Sequence, residues 1–196
     1  MSLDYRQIFI DQYKANITRR GADRLLEWLL STDFFTAPAS TRFHAAYEGG
    51  LVEHSLNVYR IMMKKHFVEG EDDPESAAIC TLLHDICKAG FYEVSFRNRK
   101  NDAGVWEKVP YYTINDKFPY GHGEKSVFLI ERFMRLKNEE AVAIRWHMGG
   151  FDDAAKSGSF AIAHAYENYP LAVKLHLSDL EATYLCENRN PEEEES

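Results

Sequence analysis

An ionisable doublet inside an apolar run limits what this chain can fold into. In Thr81-Leu82-Leu83-His84-Asp85-Ile86-Cys87-Lys88 the neighbours are core-forming residues, while His84 and Asp85 are both metal-ligand types. Burying an unpaired carboxylate costs several kcal/mol, so the fold must give Asp85 a cation, a hydrogen-bond donor or a metal ion. Lys88 lies four residues after His84 and three after Asp85, on the same face of a helix as both. A cation beside a candidate metal cluster points to an anionic substrate. The competing role for Lys88 is an ordinary helix C-terminal cation, worth a few tenths of a kcal/mol.

Around the doublet the apolar spacing is mostly helical. Two N-terminal helices are expected over about 5–16 and 21–30, the second with Leu25, Leu26, Trp28, Leu29 and Leu30 as a dense face. A loop containing Pro38 follows over 31–40. Gly49-Gly50 breaks the backbone before a helix over about 51–66, which carries His54 near its start. Asp73-Pro74 suits the start of a further helix running to about Lys88 and stopping at Gly90. The period then changes: Phe91–Phe96 and Val105–Thr113 are aromatic and β-branched, and Asn101-Asp102-Ala103-Gly104 joins them as a β-hairpin. Helices return over about 124–136, 139–146, 159–168 and 170–188, with Met148-Gly149-Gly150 as a stop. The fold class expected is all-α, a helical bundle with one small hairpin.

With 196 residues and 45% hydrophobic content the chain can bury one good-sized core. A single domain is expected over 1–190, with N-terminal helices and loop over 1–40 and a core over 43–187. Pro191-Glu192-Glu193-Glu194-Glu195-Ser196 is expected to be a disordered acidic tail. No run approaches the roughly 18 apolar residues of a membrane span, and Met1–Arg6 lacks the apolar stretch of a secretory signal, so a cytoplasmic protein without a membrane partner is expected. Three cysteines argue against a disulfide framework. Cys80 and Cys87 would stand about 10 Å apart at the roughly 1.5 Å rise of a helix, so both are expected to be reduced core thiols. A net charge of −8 repels long nucleic acid and leaves small phosphorylated substrates easier to accept.

Four more ligand types lie near element ends or in apolar helical context: His54, His122 in Gly121-His122-Gly123, His147 after Arg145-Trp146, and Asp179 in Leu177-Ser178-Asp179-Leu180. Imidazole with carboxylate suits Fe, Mn, Ni, Co or Zn; a site for Mg or Ca alone would be dominated by oxygen. Six ligands exceed what one catalytic ion with open positions uses. Two divalent ions bridged by Asp85 use them all, with Mg admitted as a substitute.

The ordered set His54, His84-Asp85, His122, His147, Asp179 resembles the HD superfamily of metal-dependent phosphohydrolases over about 43–187. Gly49-Gly50-Leu51-Val52-Glu53-His54 and Leu83-His84-Asp85-Ile86-Cys87-Lys88 are particularly similar to the HD domain attached to some bacterial 3′-5′ exoribonucleases. The resemblance implies an all-helical HD domain in which His54, His84, Asp85 and Asp179 hold one metal ion, while His122 and His147 take the positions used for a second. It also associates Lys88 with phosphate oxygens. The Gly-Tyr-Pro signature of cyclic-di-nucleotide phosphodiesterases is missing, and the resemblance does not extend to the oligonucleotide-binding barrel that would hold RNA, so RNA trimming is not expected.

The activity expected is hydrolysis of a phosphoester in a small phosphorylated substrate, a nucleotide in the first instance, with Asp85 and Lys88 catalytic and Lys88, Arg145 and Lys125 as substrate contacts. Monoester against diester, the physiological metal and a homodimer are left open. Two other classes share the ligand pattern: a di-iron oxygenase, and a non-catalytic nucleotide sensor. His122 and His147 have substrate orientation as an alternative role. His44, His66, His164 and His176 are expected to be satisfied core or surface groups, although the Gly49-Gly50 turn could fold His44 back toward His54. Asp152 and Asp153 read as a helix start or turn. The aromatic hairpin reads as a flap over the core edge or as a lid that stacks a base.

Overall fold

A computed structural model describes residues 4–187; the acidic segment over 191–196 lies outside the described residues. The described chain is mostly helical with one two-stranded antiparallel sheet, as expected. In chain order the elements are α1 (Tyr5–Asn16), α2 (Ala22–Leu30), α3 (Gly50–Ile61), α4 (Pro74–Leu83), β1 (Tyr92–Lys100), β2 (Trp106–Ile114), α5 (His122–Glu131), α6 (Asn138–Trp146), α7 (Asp153–Lys156), α8 (Ala161–Asn168) and α9 (Pro170–Glu181). π-helical turns at Met62–His66 and Ala182–Cys186 extend α3 and α9. No described helix is long and apolar enough to cross a membrane.

The centre of the bundle is α4. Asp73 caps its N-terminus, accepting from the Glu75 N–H with Pro74 at the first helical position. Every residue from Ser76 to Leu83 is buried, as expected of a helix that is apolar on all sides. Helices α1, α3, α6 and α9 pack around it. Phe9, Tyr13, Leu25, Leu29, Phe34, Leu51, Leu56, Ile79, Leu82 and Leu83 fill the common core.

The core also holds one polar knot. Glu140 of α6 is 0% exposed and accepts from Arg19 Nη1 at 2.6 Å, Arg19 Nη2 at 2.8 Å, Ser76 Oγ at 2.6 Å and the Lys137 N–H at 2.7 Å. Arg19 also pairs with Glu75 at 3.2 Å. Helices α4 and α6 and the turn between α1 and α2 are thereby fastened at one point.

Two glycines set how closely elements approach. A Cβ at Gly50 would stand 2.0 Å from the Ala45 carbonyl oxygen, so only glycine lets the loop before α3 fold back on its first turn. A Cβ at Gly123 would stand 2.3 Å from the Arg145 carbonyl oxygen, so glycine brings the start of α5 against the end of α6.

The hairpin runs in the register Tyr92↔Ile114 to Lys100↔Trp106. Its base is tied down by Tyr92, whose hydroxyl donates to the Ala39 carbonyl at 3.1 Å. The base also borders a cavity of about 340 Å³ against Asp33, Thr36 and Pro38. Farther out, Phe96 and Trp106 are exposed.

One boundary differs in a way that matters. Instead of continuing to Lys88, α4 ends at Leu83; Asp85 adopts φ −108°, ψ 16°, and Ile86–Lys88 form a 3-10 turn. The last carbonyls of a helix have no intrahelical partner, and here the Thr81 carbonyl accepts from His84 Nδ1 at 2.8 Å.

Candidate metal centre

That helix end is the first piece of a site built where α3, α4, α6 and α9 converge. His84 caps α4 and His147 caps α6. Each directs its Nδ1–H to the orphan carbonyl three residues back, Thr81 at 2.8 Å and Ile144 at 2.6 Å. His54, in the second turn of α3, directs Nδ1 to Glu187 Oε1 at 2.9 Å. Carbonyls and an ionised carboxylate only accept. Burial alone would raise the Glu187 carboxyl, but His54 and Asn57 hold it below the usual range, which keeps it ionised. Each of the three Nδ1 atoms therefore carries the hydrogen, and in the neutral ring each Nε2 presents a lone pair.

These lone pairs face one another and two carboxylates. His54 Nε2 stands 3.2 Å from His84 Nε2, 3.2 Å from Asp179 Oδ1 and 3.7 Å from Asp85 Oδ2. His84 Nε2 is 3.5 Å from Asp85 Oδ2. His147 Nε2 is buried, has no hydrogen-bond partner, and lies 3.5 Å from Asp85 Oδ1. His122 Nε2 is 2.8 Å from the same Oδ1. Asp85 thus turns one oxygen toward His54 and His84 and the other toward His122 and His147.

Asp85 Oδ2 accepts from the Lys88 ammonium at 2.6 Å, but the imidazole lone pairs that face one another and Asp179 call for further positive charge. Burial alone pushes His54 down, but Glu187 and Asp179 outweigh it and carry it up to about 10, whereas burial holds His84 down to about 4. Without another cation a proton on His54 Nε2 supplies that charge. Burial would also raise Asp85 and Asp179, yet Lys88 and His84 around the first, and His54 beside the second, keep both ionised and well below the usual carboxylate range. The donor set of imidazole nitrogens and carboxylate oxygens, with the orphaned His147 Nε2, fits divalent transition metals. His54, His84 and Asp179 form one group that could hold an ion, and His84, Asp85 and His147 another. All six ligand candidates from the sequence are in this cluster.

The substrate-contact candidates are placed differently. Lys88 Nζ lies 2.6 Å from Asp85 Oδ2, at the rim of the cluster. Arg145 pairs with Glu124 at 2.6 Å and Asp152 at 2.8 Å and lies over the Trp146 ring; it lines a cavity of about 300 Å³ with His122, Met148 and Phe151. Lys125 is 6% exposed, tied to Asp116 at 2.6 Å and faced by the Phe91 and Phe118 rings, outside the cluster. Asp152 caps α7, accepting from the Ala154 and Ala155 N–H groups, as its position suggested.

Other residues enter the site that spacing did not single out. Glu187 holds His54 because α9 widens into its π-helical turn and the chain turns extended at Glu187, φ −94° and ψ 129°. Nothing in the local sequence marks this residue. The His44 ring lies tilted 5.0 Å from that of His54, the fold-back suggested by Gly49-Gly50, and contrary to the expectation of a satisfied group its buried Nε2 has no hydrogen-bond partner. His66 meets Glu181 at 3.2 Å, His164 meets Glu167 at 3.4 Å, and His176 donates to the His147 carbonyl at 2.7 Å. His122, two residues ahead of the helix expected from about 124, instead opens α5. Cys87, expected as a core thiol, is buried with Sγ 3.4 Å from His122 Nδ1.

A mostly helical bundle whose helix ends deliver histidines and aspartates to one buried cluster defines the class: a helical protein with a metal-binding constellation. The family model of the HD domain matches residues 51–186, and the chain belongs to that family. Comparison with curated proteins and with solved structures gives no match. Membership implies metal-dependent phosphohydrolase-type activity in general.

Proposed function

We propose that this protein hydrolyses a phosphoester bond of a small phosphorylated substrate, a nucleotide in the first instance, at a centre of two divalent ions. The observation that supports this most is the division of Asp85, one oxygen facing His54 and His84 and the other facing His122 and His147. His54, His84, Asp85 and Asp179 would hold one ion; His122 and His147, with Asp85 between, would hold the second. When bound, such ions act as Lewis acids and activate water for attack on phosphorus near neutral pH.

The chain's own groups do the rest. Thr81, Ile144 and Glu187 set the orientation of the three imidazoles before any ligand arrives, and an ion binding at His54 Nε2 would displace the proton held there. Lys88 keeps its ammonium charged beside Asp85, since that carboxylate outweighs the effect of burial. It lies 12% exposed at the rim, where it can meet the charge that develops on phosphoryl oxygens. His122, 28% exposed, marks the open side, and the cavity it shares with Arg145 and Phe151 has room for the non-phosphoryl part of a substrate. The likeness to exoribonuclease-associated HD domains rests on the two motifs around His54 and Asp85.

Asp85→Ala tests this reading. It should abolish metal retention and turnover across a phosphatase and phosphodiesterase panel run with Mn, Fe, Ni, Co and Mg, with helical content kept. Full activity in the variant contradicts the mechanism. Oxygen uptake without phosphate release by the wild-type protein would instead assign an oxygenase.

A further inference from the structure

We infer that Cys87 is a sulfur ligand of the ion held by His122, so that the two metal positions differ in chemistry: nitrogen and oxygen donors at one, a thiolate added at the other. The inference rests on the metal centre proposed above. Its basis is the placement of Sγ. Cys87 is 2% exposed and not in a disulfide, and its Sγ, an Asp85 oxygen and a His122 nitrogen all lie within 4.8 Å of one another.

The sulfur does not serve His122 as the carbonyls serve His84 and His147. An acceptor in line with an Nδ1–H bond stands much farther from Nε2 than from Nδ1, yet Sγ is 3.4 Å from one and 3.9 Å from the other. It therefore lies off the Nδ1–H axis, against the ring whose Nε2 meets Asp85 Oδ1 at 2.8 Å. The backbone holds it there: the Cys87 N–H donates to Ser126 Oγ at 3.2 Å, one turn along α5 from His122. A second observation points to a ligand beside the same carboxylate. His147 Nε2 is wholly buried, without a hydrogen-bond partner, and directed at that same Asp85 oxygen. Asp85 Oδ1, His122 Nε2 and Cys87 Sγ thus form a mixed nitrogen, oxygen and sulfur set, with His147 Nε2 3.5 Å from the shared oxygen. Such a set selects borderline ions such as Zn, Fe or Co over Mg. On coordination the sulfur bonds as thiolate and its proton passes to bulk water.

The full-length chain, stripped of metal and titrated with Co(II), provides the test. Expected are visible d–d absorption from both ions and a sulfur-to-cobalt charge-transfer band in the near ultraviolet. The band should persist in Cys186→Ser, vanish in Cys87→Ser and Cys87→Ala, and be accompanied there by an affinity loss of about 100-fold for one ion. Zinc-loaded wild-type protein needs no variant to fold: X-ray absorption should show a sulfur neighbour at about 2.3 Å beside nitrogen and oxygen at about 2.0–2.1 Å. Two bound Co(II) ions without the band, or a band that survives both Cys87 variants, would overturn the sulfur ligand and leave the centre itself standing. Failure to bind any Co(II) would overturn both.

Discussion

Glu187→Ala offers the most direct test of the tautomer argument, because Glu187 hydrogen-bonds the His54 ring and is not itself one of the six candidate ligands. Its Oε1 accepts from His54 Nδ1 at 2.9 Å and from Asn57 Nδ2 at 3.1 Å. Truncation leaves a buried N–H, on a ring 1% exposed, with no acceptor. An orphaned buried donor costs about 1–3 kcal/mol. The ring can escape that cost by moving its hydrogen to Nε2, but the lone pair toward Asp179 and His84 is then lost. Either way metal affinity should fall by about 10–100-fold, the range seen when such outer partners are removed. Glu187→Gln keeps an acceptor oxygen and should fall between wild type and Ala. Competition against a chelator of known affinity reads the effect, with far-ultraviolet circular dichroism as a check on the fold. An affinity within twofold of wild type in Glu187→Ala would refute the reasoning that Nδ1 partners preset these ligands.

Other outcomes follow from the core and the helix contacts. Arg19→Ala strands the buried Glu140 carboxylate and should lower stability by about 3–5 kcal/mol in urea melts. Burial alone would raise Glu140, but Arg19 and Ser76 hold it below its ordinary value, so its contribution is complete above the usual glutamate range and fades as pH drops through the lowered value. The wild-type midpoint should therefore fall under acid conditions, and Glu140→Gln should flatten that slope. Gly123→Ala forces a methyl toward the Arg145 carbonyl at 2.3 Å, pushing α5 off α6. It should cost about 1–3 kcal/mol and reduce bound metal toward one ion per chain, measured by elemental analysis.

Much of the fold is legible locally. The helical period of α1, α3 and α9 and the aromatic, β-branched run into Asn101–Gly104 depend on neighbours a few residues away, and the observed elements follow them. The end of α4 was less legible, since Thr81–Lys88 is apolar enough to continue. It stops where the doublet needs to leave the helix axis, and the freed Thr81 carbonyl then serves His84. The surroundings of Lys125 were not legible either. Its charge suggested a substrate contact, and its burial beside Asp116 depends on the packing of Phe91 and Phe118.

Sequence by itself determined the types and order of the six candidate ligands, because side-chain chemistry is written residue by residue and a histidine or aspartate in an apolar run announces its need of a partner. Tertiary structure decided which nitrogen of each ring faces inward, that Glu187 steadies His54 across 133 positions, and that Cys87 comes beside His122. Those are matters of orientation. They follow from where helices end and how closely they cross, distances that arise only once segments far apart in the chain are packed together.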